Sequence, residues 1–113
     1  MTADGFRRMA LQLEGTSEGA HMGHPDFRIN GRIFATLHYP DRRWGMVKLS
    51  PEEQDSFVRD YQGVFVPCSG AWGRGGCTNV LLKSVKAGIL RAALEAAWRR
   101  AAAHTATRSK RSR

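Results

Sequence analysis

His24-Pro25-Asp26-Phe27-Arg28-Ile29-Asn30-Gly31-Arg32-Ile33-Phe34-Ala35-Thr36-Leu37 sets an Asn-Gly pair between two short, largely apolar arms. Asn-Gly supplies the positive φ angles that a two-residue hairpin turn needs, so the stretch predicts a β-hairpin over about 26–29 and 32–39. It also sets Arg28 and Arg32 close together near the tip. Side chains alternate along a strand, which puts Arg28 on the face opposite Phe27 and Ile29. Across the turn the expected partners are Ile29 with Arg32 and Phe27 with Phe34. Ile33, Ala35 and Leu37 then share the face of Arg28, and neither face is cleanly polar. That mixture suggests a helix or a partner over part of the second face.

Working outward, Asp4 can cap a first helix in which Phe6, Met9, Ala10 and Leu13 form one apolar stripe, with Gly15 ending it. Residues 16–25 read as a loop with room for a short edge strand. Beyond the hairpin, Pro40-Asp41-Arg42-Arg43 turns the chain into a third strand from Trp44 to Leu49, which suits an antiparallel meander. Ser50-Pro51-Glu52-Glu53 is the clearest helix start: Ser50 caps, Pro51 takes the first helical position, and Glu53 completes a capping box. Phe57, Val58 and Tyr61 supply that helix's buried face, and Gly63 stops it. Val64–Pro67 and Cys77–Leu82 read as further extended pieces. Ser84 opens the longest helix, with Leu90, Leu94, Ala97, Trp98 and Ala101 on one side. The order α-βββ-α-ββ-α predicts an α+β fold, a two-layer antiparallel sheet with helices on one face.

At 113 residues the chain suits one domain. Its apolar content of 42% and charged content of 25% are ordinary for a soluble protein. No apolar run approaches membrane-spanning length, and Met1-Thr2-Ala3-Asp4-Gly5 lacks the character of a signal peptide, so the expected location is cytoplasmic and no membrane partner is expected. The net charge is +8, with Arg108, Lys110, Arg111 and Arg113 in an acid-free ending. Without those four, 14 basic residues stand against 10 acidic ones. Residues 1–103 are read as the domain and 104–113 as a basic tail expected to be disordered. Such a tail can attract nucleic acid or an acidic partner, or simply be solvated.

Cys68 and Cys77 bracket Gly70-Ala71-Trp72-Gly73-Arg74-Gly75-Gly76. They lack close Cys-x-x-Cys spacing for zinc; a disulfide between them is possible in principle, but a cytoplasmic chain normally keeps both as thiols. His21 and His24 have no supporting metal-ligand motif, and no cofactor is expected. The glycine stretch lacks the pattern of a nucleotide-binding P-loop. It fits either an anion-binding nest with Arg74 as a phosphate contact and Trp72 as a stacking surface, or a tight hairpin with Trp72 in the core, the reading preferred for Trp72. Trp98, spaced from Leu94 along a helix, reads as core, and Trp44 could go either way.

Phe27-Arg28-Ile29, Gly31-Arg32-Ile33-Phe34-Ala35, Val47-Lys48-Leu49-Ser50-Pro51-Glu52, Ala71-Trp72-Gly73-Arg74-Gly75-Gly76 and Ala93-Leu94-Glu95-Ala96-Ala97-Trp98 together resemble the MmcQ/YjbR family over about residues 5–102. The resemblance implies a DNA-binding protein with a double-wing arrangement of β-hairpins and a fold related to secretion chaperones. It implies no catalytic residues.

On this reading Arg28, Arg32, Arg42, Arg43, Lys48 and Arg74 are the candidate DNA contacts. Clustered guanidinium groups hold phosphates by charge-assisted hydrogen bonds, and a two-stranded ribbon fits a major groove. The plain alternative is that these are solubilising turn residues. A different function, a module binding an acidic or amphipathic protein partner, is the runner-up. An enzyme is a distant third, because no nucleophile or metal-ligand constellation is present. The sequence assigns no oligomeric state.

Overall fold

A computed structural model describes the backbone of residues 1–111 and the side chains of residues 1–103. Helix α1 (Ala3–Leu11) leads into strands β1 (Thr16–His21), β2 (His24–Ile29), β3 (Arg32–Leu37) and β4 (Trp44–Lys48). Helix α2 (Pro51–Asp60), strand β5 (Phe65–Pro67), the short helix α3 (Gly70–Arg74), strand β6 (Cys77–Leu81) and helix α4 (Ala87–Arg111) follow. The strands form one six-stranded antiparallel sheet in the order β1-β2-β3-β4-β6-β5. The α+β class holds, and so do the Asn-Gly hairpin, the third strand and the capping box of α2, where Ser50 and Glu53 exchange hydrogen bonds.

Several local readings need correction. The cap of α1 is Thr2, whose hydroxyl accepts from the Gly5 amide, while Asp4 lies in the first turn. The longest helix starts at Ala87 instead of Ser84. The described backbone continues that helix to Arg111, past the boundary drawn at residue 103. The basic side chains of the tail, and Ser112 and Arg113 altogether, lie outside the described residues. Residues 16–21 form a full edge strand because Met22-Gly23 makes a second hairpin turn, with φ of 51° and 81°, close to the 53° and 81° of Asn30-Gly31. Met22 lacks the Asn side chain that tolerates this region and is itself 85% exposed, so composition did not announce the turn.

The pairing within the first hairpin also differs. Ile29 faces Arg32 as expected, but a bulge between Phe27 and Arg28 pairs Phe27 with Ala35 and leaves Phe34 as the extra residue. The strand thereby resets its alternation. Phe34, Ala35 and Leu37 all become buried with Phe27 and Ile29, which removes the mixed character read from strict alternation.

One face of the sheet carries the core. Phe6 of α1 packs on Phe27, with ring centroids 5.9 Å apart, and lies where a side chain at Gly45 of β4 would have to go. Phe57 of α2 stacks on Phe65 of β5 at 4.9 Å. Leu90, Leu94 and Ala97 of α4 complete the same cluster. The other face carries Arg28, Thr36, Trp44, Met46, Lys48, Cys77, Asn79 and Leu81, positions that the strand register places side by side.

Candidate functional site

The six candidate cations do not form one surface. Arg28 and Arg32 leave opposite faces of the hairpin, since Arg28 pairs with Ile33 and Arg32 with Ile29. Arg28 is held by the fully buried Asp26 through two bonds, Nε to Oδ1 at 2.8 Å and a terminal nitrogen to Oδ2 at 3.0 Å. The register partner of Asp26 on β1 is Gly19, where a Cβ would sit 3.0 Å from Asp26 Oδ1 and 3.3 Å from Arg28 Nε, so the glycine makes room for the pair. The hydrogen-bonded carboxylate raises the Arg28 pKa further.

Arg43 is similarly committed. It donates to Asp41 through Nε at 3.0 Å, a terminal nitrogen at 2.8 Å and its own backbone amide at 2.9 Å. These bonds hold the Asp41 carboxyl down to about 2 from an ordinary 3.8. A depressed folded-state value means the contribution is complete above the unfolded pKa and disappears as pH falls through about 2. A carbon-detected NMR titration should therefore place the Asp41 midpoint near 2, and Arg43→Ala should return it to the ordinary range. Arg42 makes no ion pair among the described residues, but it sits at the β3–β4 turn, the end of the sheet away from the β2–β3 tip.

Arg32, Lys48 and Arg74 fall at the opposite end. There Arg32 opens β3, Lys48 closes β4, and α3 bridges β5 to β6. Arg32 and Lys48 line one cleft of about 160 Å³ together with Ile33 and with Ala97, Arg100 and Ala101 of α4. Three cations thus surround a cleft with no carboxylate among its described lining residues. None of Arg32, Lys48, Arg74 and Arg100 forms an ion pair among the described residues. Arg100 was not among the sequence candidates. Its place beside Ala97 on a helix looks like that of any surface arginine until α4 is laid across the start of β3.

Glycines and one glutamine build this end. Gln54 of α2 donates through Nε2 to the carbonyls of Gly73 (2.9 Å) and Cys77 (3.0 Å), tying α2 to the α3–β6 junction. The glycine-rich stretch forms α3, not a tight hairpin, because the Gly73 backbone packs directly on the Cys68 carbonyl; a Cβ there would lie 1.7 Å from that oxygen. Trp72 is consequently 69% exposed, not core. Trp72→Ala should move the chemical-denaturation stability by less than about 0.5 kcal/mol, since exposed positions contribute little. Trp98 is part-buried against the core and donates its indole N–H to the Glu14 carbonyl at 2.9 Å.

Cys77 stands opposite Lys48 in the β4–β6 register. Burial pushes its thiol pKa up, while the charges of Lys48 and Arg100 oppose that rise. Cys68 is pushed up to about 11, chiefly by burial and then by Cys77. Both are free thiols. His21 and His24 face each other beside the Met22-Gly23 turn, and His24 meets Tyr39 edge-on. Among the described residues no three His, Cys, Asp or Glu side chains gather to hold a metal ion, and no helix is long and apolar enough to cross a membrane.

The YjbR family model matches residues 11–100. No curated protein matches the chain. Among solved structures, the Deinococcus radiodurans protein DR2400, with its DUF419 domain, superposes with a TM-score of 0.73. That likeness covers 86% of this chain and 75% of the other at 17% identity, and it concerns the fold.

Proposed function

This chain belongs to the YjbR family, and we propose that it binds DNA through the cationic end of its sheet, with Arg32, Lys48 and Arg100 taking backbone phosphates. The observation that carries the reading is the cleft those three residues line, with no carboxylate among the described lining residues. Cations left unpaired retain their donors for phosphate oxygens, and guanidinium groups bind these through paired, charge-assisted hydrogen bonds. Arg74 and the exposed Trp72 on α3 extend the same end with a further charge and an aromatic face on which an unstacked base can rest. Of the two hairpin arginines only Arg32 contributes, because Arg28 is occupied by Asp26.

Three phosphate contacts on a duplex correspond to a slope of log affinity against log salt of about −3. Fluorescence anisotropy with a short labelled duplex across a salt series is the test, run on the full chain and on a version ending at residue 103. Both should bind with a negative slope of that order. Absence of binding by the shortened chain at low salt would remove the cleft from the account.

A second reading, a module for a protein partner, draws on the sheet face opposite the core. There Trp44 pairs with Leu81 and Met46 with Asn79, an apolar patch bordered by polar groups. Stoichiometric recovery of one defined protein, unaffected by nuclease, would favour it.

A further inference from the structure

Lys48, Cys77 and Cys68 stand in a row across three strands. Lys48 of β4 is the register partner of Cys77 of β6. The Cys68 amide, one residue beyond β5, donates to the Cys77 carbonyl at 3.0 Å, so the antiparallel pairing continues to these two cysteines. The Cys68 thiol lies 3.4 Å from the Asn79 side-chain oxygen. Asn79 is two residues from Cys77 on the same strand and so shares its face, which puts both sulfurs on one side of the sheet.

Directly opposed residues in a hydrogen-bonded antiparallel pair have Cα atoms about 5.5 Å apart. That separation lies inside the roughly 4.4–6.8 Å between Cα atoms that disulfides span. Both thiols are half-buried and therefore reachable from solvent. The residues between them, 69–76, contain α3 and lie at the cationic end described above.

We propose that Cys77 and Cys68 form a redox-modification site, which exchanges with an anionic low-molecular-weight disulfide of the glutathione class and closes into a reversible intramolecular disulfide. Lys48 and Arg100 supply the positive field that draws such a disulfide in through its carboxylates and offsets part of the rise that burial imposes on the Cys77 thiol. Cys77, beside Lys48 in the register, is the attacking thiol, and Cys68, pushed up to about 11 chiefly by burial and then by Cys77, is the resolving one.

In the first step the Cys77 thiolate attacks one sulfur of the disulfide; the other leaves as a thiolate and takes up a proton. In the second step Cys68 loses its proton and attacks the Cys77 sulfur, expelling the second small thiolate, which is protonated in turn. Two protein S–H groups become one S–S bond, and one small disulfide is reduced to two thiols. Neither step depends on DNA binding.

The test uses the full chain, reduced and then equilibrated in mixtures of oxidised and reduced glutathione, quenched in acid, alkylated and weighed by mass spectrometry. Under oxidising mixtures the protein should lose both alkylation sites and the mass of two hydrogens, as a monomer, and regain both sites in dithiothreitol. Cys68→Ser should stop at a glutathione adduct on Cys77, and Cys77→Ser should acquire an adduct at least about tenfold more slowly. Lys48→Gln, with an unchanged circular dichroism spectrum, should slow closure several-fold. Two thiols that stay free under the most oxidising mixture, or cross-linked dimers as the sole product, would overturn the proposal. Equal adduct rates in the two single variants would overturn the assignment of Cys77 as the attacking thiol.

Discussion

Replacing Gly76 by alanine is expected to destabilise the protein by about 4 kcal/mol or more, a large share of the 5–15 kcal/mol typical of a domain. The residue holds φ at +112°, outside the region open to other residues. A Cβ at this position would lie 1.9 Å from the Leu49 carbonyl oxygen and 2.8 Å from its carbon, both backbone atoms. The Leu49 amide donates to the Gly76 carbonyl at 3.1 Å, so the two segments are bonded together and have little freedom to part. Leu49 itself is fully buried. Gly75 is the control: it lies in the right-handed helical region, and a Cβ there meets nothing closer than 3.6 Å. Urea unfolding should show Gly75→Ala close to the parent and Gly76→Ala unfolded or far less stable. Equal midpoints would mean that the junction between β4 and β6 is looser than its hydrogen bonds indicate.

Neutralising the cleft is expected to be the largest functional change. With Arg32, Lys48 and Arg100 all changed to glutamine, duplex affinity at low salt should fall roughly a hundredfold, and the salt slope should become shallower by about 3. Arg43→Gln should change affinity less than about threefold, because that guanidinium is already committed to Asp41 and adds little free charge. Melting curves for both proteins separate lost binding from lost folding. Parent-like affinity in the triple variant would transfer whatever binding exists to the tail.

Much of the architecture was legible because it rests on local rules. Asn30-Gly31 dictates a turn, and Ser50-Pro51-Glu52-Glu53 dictates a helix start, whatever surrounds them. The bulge at Phe27 was not legible, since it follows from fitting Phe34, Ala35 and Leu37 all into one core. The Met22-Gly23 turn was hidden by a residue that rarely takes a positive φ. Trp72 misled because its size argues for burial, whereas the tight packing of Gly73 against Cys68 forces the segment into a helix that points the ring outward.

For the site, the sequence held a signal that pointed against two of its own candidates. Asp26 and Arg28 are two apart on a strand and share a face, and Asp41 and Arg43 are two apart in a turn. An acid at that spacing is a ready partner for the arginine. Arg100 had no such signal, because only the path of α4 across the sheet brings it to Arg32 and Lys48.

Backbone amide NMR of the full chain titrated with a short duplex tests the central claim most directly. Shifts should concentrate at Arg32–Ile33, Lys48, Arg74–Cys77 and Ala97–Ala101, growing together and fading as salt is added. Shifts confined to the Asp41–Arg43 turn or to residues after 103, with the cleft unmoved, would contradict it.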